Sequence, residues 1–140
     1  DTMWHSTRRM AECIAGGLRE ADPSLTVKLF NSAVDDKNDI VTEVFKSKAI
    51  LVGSPTINYG YLFSIGGIME MIRGLKFRNK KAAAFGSYGW SGEAVKQITA
   101  LLDGAGFEIV NDGLRCQWAP DEATQKLCRD YGREFASAVR

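Results

Sequence analysis

The sequence predicts an α/β fold: a doubly wound, five-stranded parallel sheet in the order 2-1-3-4-5, with its first strand missing from the N-terminus given. Three observations predict it. Stretches of helical and strand periodicity alternate along the 140 residues. Two short, continuously apolar runs, Ala49 to Gly53 and Lys81 to Gly86, have the character of strands covered on both faces of a parallel sheet. Three uncharged turns sit where a strand hands over to a helix, namely Thr2 to Thr7, Ser54 to Gly60 and Ser87 to Gly92.

Each element follows from its pattern. From Ser6 or Thr7 to Ala21, apolar Met10, Cys13, Ile14 and Leu18 recur at helical spacing, and Asp22-Pro23 is a stop signal. The Gly16-Gly17 pair inside this helix costs stability relative to alanine, and close packing on the sheet would explain it. Leu25 to Phe30 alternates apolar and polar residues, which predicts an edge strand. A helix from Asp36 to Lys46 follows, with Ile40, Val41, Val44 and Phe45 expected to face inward.

Between the two apolar strands, Phe63 to Arg73 carries Ile65, Ile68, Met69 and Ile72 at helical spacing. Gly92 to Ala105 forms the next predicted helix, with Val95, Ile98, Leu101 and Leu102 on its inner stripe and Gly106 as its terminator. Phe107 to Trp118 reads as a last strand, broken at the turn signal Asn111-Asp112-Gly113. The closing helix, Asp121 to Val139, puts Leu127, Cys128, Tyr131, Phe135 and Val139 on one stripe, with Pro120 and Asp121 supplying its start.

Strands alternating with helices imply right-handed crossovers. Ligands of such sheets bind beyond the carboxyl ends of the strands, where all three turns fall. One strand is wanting, because the first turn should follow a buried strand and only Asp1 precedes it. In a 2-1-3-4-5 sheet that strand is central, and its absence leaves two neighbours with unpaired ladder groups. About five to eight apolar residues are therefore expected upstream.

Composition excludes several function classes. The chain is 45% apolar and 25% charged, as suits one domain with its own core. Eighteen Lys and Arg against seventeen Asp and Glu, scattered along the chain, give no nucleic-acid or anionic-membrane surface. Cys13, Cys116 and Cys128 are dispersed and lack nearby histidines, which fits reduced thiols of a cytoplasmic protein. They fit neither a disulfide framework nor a zinc site.

The turns carry the chemistry. The hydroxyl-rich first turn opens a helix, so it can offer side-chain O–H and backbone N–H donors to a phosphate at the positive end of the helix dipole. Ser6 or Thr7 could equally cap that helix. The other two turns set small residues beside Tyr59, Tyr88 and Trp90, as walls for a flat ring require. Trp90 stands among glycines and serines with little bulk to bury it. His5, the only histidine, reads as a solvated imidazole. None of the three turns contains Asp or Glu, so little anionic repulsion opposes negative charge on a ring held there.

At these turns the chain resembles the flavodoxin domain of flavodiiron proteins. The resemblance rests on Asp1 to Thr7, on Gly53-Ser54-Pro55-Thr56 with Asn58, and above all on Ala84 to Ala94. Val27 to Asn31, Asp36-Lys37-Asn38, Lys126 to Arg129 and Gly132-Arg133-Glu134 resemble the flavorubredoxin branch, which includes anaerobic nitric oxide reductases.

The resemblance implies a flavodoxin-like fold and noncovalent FMN. Its phosphate would be held by Thr2, Met3, Trp4, Ser6 and Thr7. The ring would be flanked by Pro55, Thr56, Ile57, Asn58, Tyr59 and Gly60, then by Ser87, Tyr88, Gly89, Trp90 and Gly92. His5 and the Tyr59-Gly60-Tyr61-Leu62 stretch depart from the family pattern. The resemblance further implies a parent chain with a metallo-β-lactamase-like di-iron domain that reduces nitric oxide or dioxygen, a head-to-tail dimer, and a rubredoxin donor. A freestanding flavodoxin or an FMN-dependent quinone or flavin reductase is the alternative. A response-regulator-type signalling domain lacks its acidic cluster here.

Overall fold

The computed structural model describes residues 1–140. Five helices and four short strands alternate: α1 (Ser6–Ala21), α2 (Lys37–Lys46), β1 (Ala49–Gly53), α3 (Phe63–Leu75), β2 (Lys81–Tyr88), α4 (Glu93–Gly104), β3 (Glu108–Ile109), β4 (Leu114–Gln117) and α5 (Glu122–Val139). All strand pairs are parallel. β2 lies in the middle, with β1 on one side and β3 and β4 in succession on the other. The break between β3 and β4 falls at the expected Asn111-Asp112-Gly113 turn. Only the 3-4-5 part of the predicted order is seen as a ladder.

Leu25 to Phe30 is a correction. The segment forms no strand, and Leu29 and Phe30 are 44% and 41% exposed. Alternation favours an extended chain, but a strand needs a ladder partner, and this segment pairs with none. β1 pairs on one side only, so Ala49, Ile50 and Leu51 are half-buried rather than enclosed. β2, flanked on both sides, is buried from Ala82 to Ser87.

The sheet separates two cores. One joins α2, α3 and α4 through residues such as Ile40, Ile68, Ile72, Ile98 and Leu102. The other joins α1 and α5 through Met10, Ile14, Cys128, Tyr131 and Phe135. Helix termini explain the boundaries. The Asp36 side chain accepts from the Asn38 amide, and the Asp121 side chain from the Thr124 amide, so α2 and α5 begin one residue after their capping aspartates. Gly106 at φ 95° closes α4, as expected.

Two inward assignments fail. Phe45 is 70% exposed and Leu127 is 57% exposed, because each stands at the flank of its apolar stripe. Phe45 instead meets the edge of Phe77 at 5.9 Å. The Lys80 ammonium binds the Phe45 carbonyl at 2.9 Å and the Ser47 carbonyl, closing the end of α2.

The packing partner of the Gly16-Gly17 pair is also corrected. A Cβ at Gly16 would meet nothing within 4 Å, whereas one at Gly17 would lie 2.0 Å from the Arg129 carbonyl oxygen on α5. Gly132 answers it, since its Cβ would lie 2.2 Å from the Ile14 oxygen. The glycines let two helix backbones touch, and the sheet is not involved. Gly17→Ala is expected to destabilise the fold by about 3 kcal/mol, since backbone rather than a flexible side chain must move. Urea denaturation of the variant checks this, with Gly16→Ala as a control expected to stabilise by about 0.5–1 kcal/mol.

The three cysteines are free and buried. Desolvation and the neighbouring thiols push the Cys128 thiol up to about 12, and burial raises Cys116. Cys116 and Cys128 stay protonated at neutral pH, and all three cysteines act as packing groups. No helix is long and apolar enough to cross a membrane.

Candidate functional site

Parallel strands end on one side of a sheet, so β1, β2 and β4 deliver Ser54, Tyr88 and Gln117 to the same end of the molecule. Hydrogen bonds then stitch the three turns together. Thr7 Oγ1 lies 2.8 Å from Ser87 Oγ, joining the first turn to the third. The Thr56 amide donates to the Ser87 carbonyl at 2.9 Å, joining the second to the third. Thr56 Oγ1 accepts from the Ala94 amide at 3.2 Å, and Gln117 Nε2 donates to the Gly89 carbonyl at 3.1 Å. The three turns meet at one end of the sheet.

In the first turn, His5 occupies the position before α1 in left-handed backbone (φ 66°) and offers the helix no side-chain cap. His5 rather than Ser6 or Thr7 holds the cap position, and the Thr7 hydroxyl is hydrogen-bonded to that of Ser87. The first turn of α1 holds no acidic residue. The backbone N–H groups from Met3 to Arg8 have no protein acceptor. Met3, Trp4 and His5 are exposed and Ser6 is half-buried.

Thr2 supplies the test of fit. Its Oγ1 is buried and has no hydrogen-bond partner, although a buried hydroxyl ordinarily finds one. A row of free N–H donors at the positive end of a 16-residue helix, with an orphaned hydroxyl beside it, suits a phosphate dianion. The residues present fit that group.

The second turn is a tight one. Ile57 and Gly60 exchange both backbone hydrogen bonds at 2.9 Å, leaving Asn58 and Tyr59 at its tip with φ of 50° and 60°. Two successive left-handed residues are the geometry of a type I′ turn. Asparagine tolerates it, whereas tyrosine bears a cost of about 1–2 kcal/mol. Pro55 and Ser54 are buried beneath, and Ser54 Oγ holds the returning chain by accepting from the Leu62 amide at 2.9 Å. Tyr59 is 74% exposed.

In the third turn Ser87 is buried, while Tyr88, Gly89 and Gly92 are half-buried. Trp90 is 92% exposed, and its ring meets Trp118 edge-on at 5.4 Å. The Arg115 guanidinium stacks over Tyr88 at 5.5 Å. The structure thus brings together segments that carry every sequence-predicted residue, with aromatic surface left open at the rim. Sequence reasoning missed Ser54 as a brace, Gln97, Arg115 and Trp118. For Trp118 a signal existed, since an aromatic stood at the carboxyl end of a predicted strand.

Comparison with known proteins agrees with this geometry. The flavodoxin family model matches residues 1–132. The chain is 51% identical over 136 residues to the anaerobic nitric oxide reductase flavorubredoxin of Escherichia coli K12, an alignment spanning 97% of this chain and 28% of that protein. Among solved structures, the rubredoxin oxygen:oxidoreductase of Desulfovibrio gigas superposes with a TM-score of 0.93 at 35% identity, covering 99% of this chain and 34% of the other. The flavodiiron protein of Giardia intestinalis superposes equally well, at 0.93 and 26% identity, covering 99% and 34%. A flavodoxin from the domain Archaea gives 0.86 at 28% identity and is covered over 92% of its own length. By its matching residues, its parallel sheet and the turns at the sheet's carboxyl end, the chain belongs to the flavodoxin family.

Proposed function

We propose that this chain is the FMN-binding electron-transfer domain of a flavodiiron protein, relaying electrons to a di-iron centre that reduces nitric oxide or dioxygen. The observation that carries the reading is the convergence of three uncharged turns around free N–H donors and the orphaned Thr2 hydroxyl. Bound FMN supplies one- and two-electron chemistry, and the protein tunes each potential through hydrogen bonds and charge near the ring nitrogens.

In this reading Thr2, Met3, Trp4, Ser6 and Thr7 hold the phosphate through backbone N–H groups and hydroxyls, the Thr7 hydroxyl being bonded to that of Ser87 as well. Pro55 to Gly60 and Ser87 to Gly92 flank the ring, with Trp90 offering the larger open surface. The Asn58 carbonyl makes no hydrogen bond within the chain, so the Asn58–Tyr59 linkage is free to present an acceptor to a protonated ring nitrogen. Arg115 adds an exposed guanidinium beside Tyr88.

The second-electron potential tests this reading. Turns free of Asp and Glu, with Arg115 nearby, oppose negative charge less than acidic turns do. A redox titration of the FMN-loaded chain is expected to place the second couple less negative than in acidic flavodoxins. A couple equally negative would contradict the electrostatic argument.

The chain spans about a quarter of the length of the curated relatives it matches, at 28%, which supports a parent protein of several domains. Residues 1–140 are then its single flavodoxin-like domain. A metallo-β-lactamase-like di-iron domain within that parent, met across a head-to-tail dimer, is the acceptor, and rubredoxin or a rubredoxin-like module is the donor. The setting is cytoplasmic.

A freestanding flavodoxin or FMN-dependent reductase is the second reading, favoured by the near full-length match to the archaeal flavodoxin. Steady oxidation of NAD(P)H by this chain alone would select it.

A further inference from the structure

Gln97 lies on the second turn of α4, outside the three turns, yet its side chain reaches the tip of the second one. Gln97 Nε2 donates to the Tyr59 carbonyl at 2.7 Å. The same amide covers the next residue, since a Cβ at Gly60 would lie 3.3 Å from Gln97 Oε1. Tyr59 needs such a hold. It occupies left-handed backbone at φ 60°, a conformation tyrosine disfavours. Its exposed ring contributes little anchoring of its own.

The bonds around the tip are unevenly distributed. Ile57 and Gly60 are locked to each other, and the Tyr59 carbonyl is locked to α4 through Gln97. The Asn58–Tyr59 peptide between them has neither its carbonyl nor its N–H bonded within the chain. One peptide is left free in a frame that is otherwise fixed.

We propose that Gln97 is a positioning residue, fixing the far end of the Ile57–Gly60 turn to α4 so that the Asn58–Tyr59 peptide meets the flavin ring in a preset arrangement. The proposal rests on the FMN reading of the cleft. Without the tether, the turn must be ordered at the moment the peptide engages the ring, and that ordering cost weakens the interaction. The phosphate cradle, built from the first turn, is untouched.

The test compares Gln97→Ala and Gln97→Glu with the parent chain, each loaded with FMN. Glutamate keeps the length but, ionised, cannot donate to a carbonyl. Both variants are expected to bind FMN within tenfold of the parent's Kd. The first one-electron step should be disfavoured about tenfold relative to the second, a narrowing of about 59 mV between the two potentials. Amide hydrogen exchange of the FMN-free variants should be faster at Gly60 and unchanged in β2. Unchanged potentials and unchanged Gly60 exchange in variants that retain FMN would overturn the role of Gln97 alone. A parent chain that binds no FMN would overturn the cofactor reading and this inference with it.

Discussion

Thr2→Val is expected to weaken FMN binding by about 1.5–3 kcal/mol, the range for a hydrogen bond to a charged group, while leaving the FMN-free fold as stable as before or slightly more so. The two effects separate because of where the hydroxyl stands. Thr2 Oγ1 is buried and unpartnered within the chain, so in the absence of a ligand it bears a desolvation cost with no return. Valine keeps the shape and removes that cost. A phosphate beside the Met3 to Arg8 amides gives the hydroxyl its acceptor, and valine cannot replace it. Fluorescence titration with FMN and urea denaturation of the flavin-free variant read the two quantities. Weaker binding together with a less stable fold would mean that Thr2 is structural.

Trp90→Ala is the second large effect, with an expected loss of about 1–3 kcal/mol in FMN affinity, as for an aromatic side chain that anchors a ligand. Trp90 is 92% exposed and touches Trp118 only edge-on. Truncating so exposed a side chain should change flavin-free stability by less than about 0.5 kcal/mol. A large aromatic surface kept in water beside the three turns is explained by a ring that covers it. Retained affinity in the alanine variant would remove Trp90 from the site and leave Tyr59 and Tyr88 as candidate walls.

The physical reasons these features could be read from sequence differ. Helices were legible because Met10, Cys13, Ile14 and Leu18, or Ile65, Ile68, Met69 and Ile72, repeat at the period of the structure they build, and they are buried as that period requires. The first turn could be proposed as a phosphate site from sequence because hydroxyls and free amides ahead of a helix are a local arrangement. Leu25 to Phe30 misled because alternation specifies an extended chain and says nothing of a neighbour to pair with. Phe45 and Leu127 misled because a helical stripe has flanks, and residues there are covered or left open according to what packs nearby.

Gln97 and Arg115 were illegible for another reason. A glutamine on a helix and an arginine on a strand are ordinary solvated residues in sequence. Their partners, the Tyr59 carbonyl and the Tyr88 ring, lie 38 residues away in the first case and on a neighbouring strand in the second. Only the parallel register of β2 and β4, and the docking of α4 against the second turn, create those contacts. The Gly17 and Gly132 contact belongs to the same class, since a glycine inside a helix signals close approach without naming what approaches.

Titration of the purified, flavin-free chain with FMN, followed by flavin fluorescence and by visible absorbance after gel filtration, tests the central claim most directly. One FMN bound per chain, with competition by inorganic phosphate and weakening in Thr2→Val, is the result expected if the three turns form a single mononucleotide site. A folded chain that leaves added FMN free in solution would contradict it.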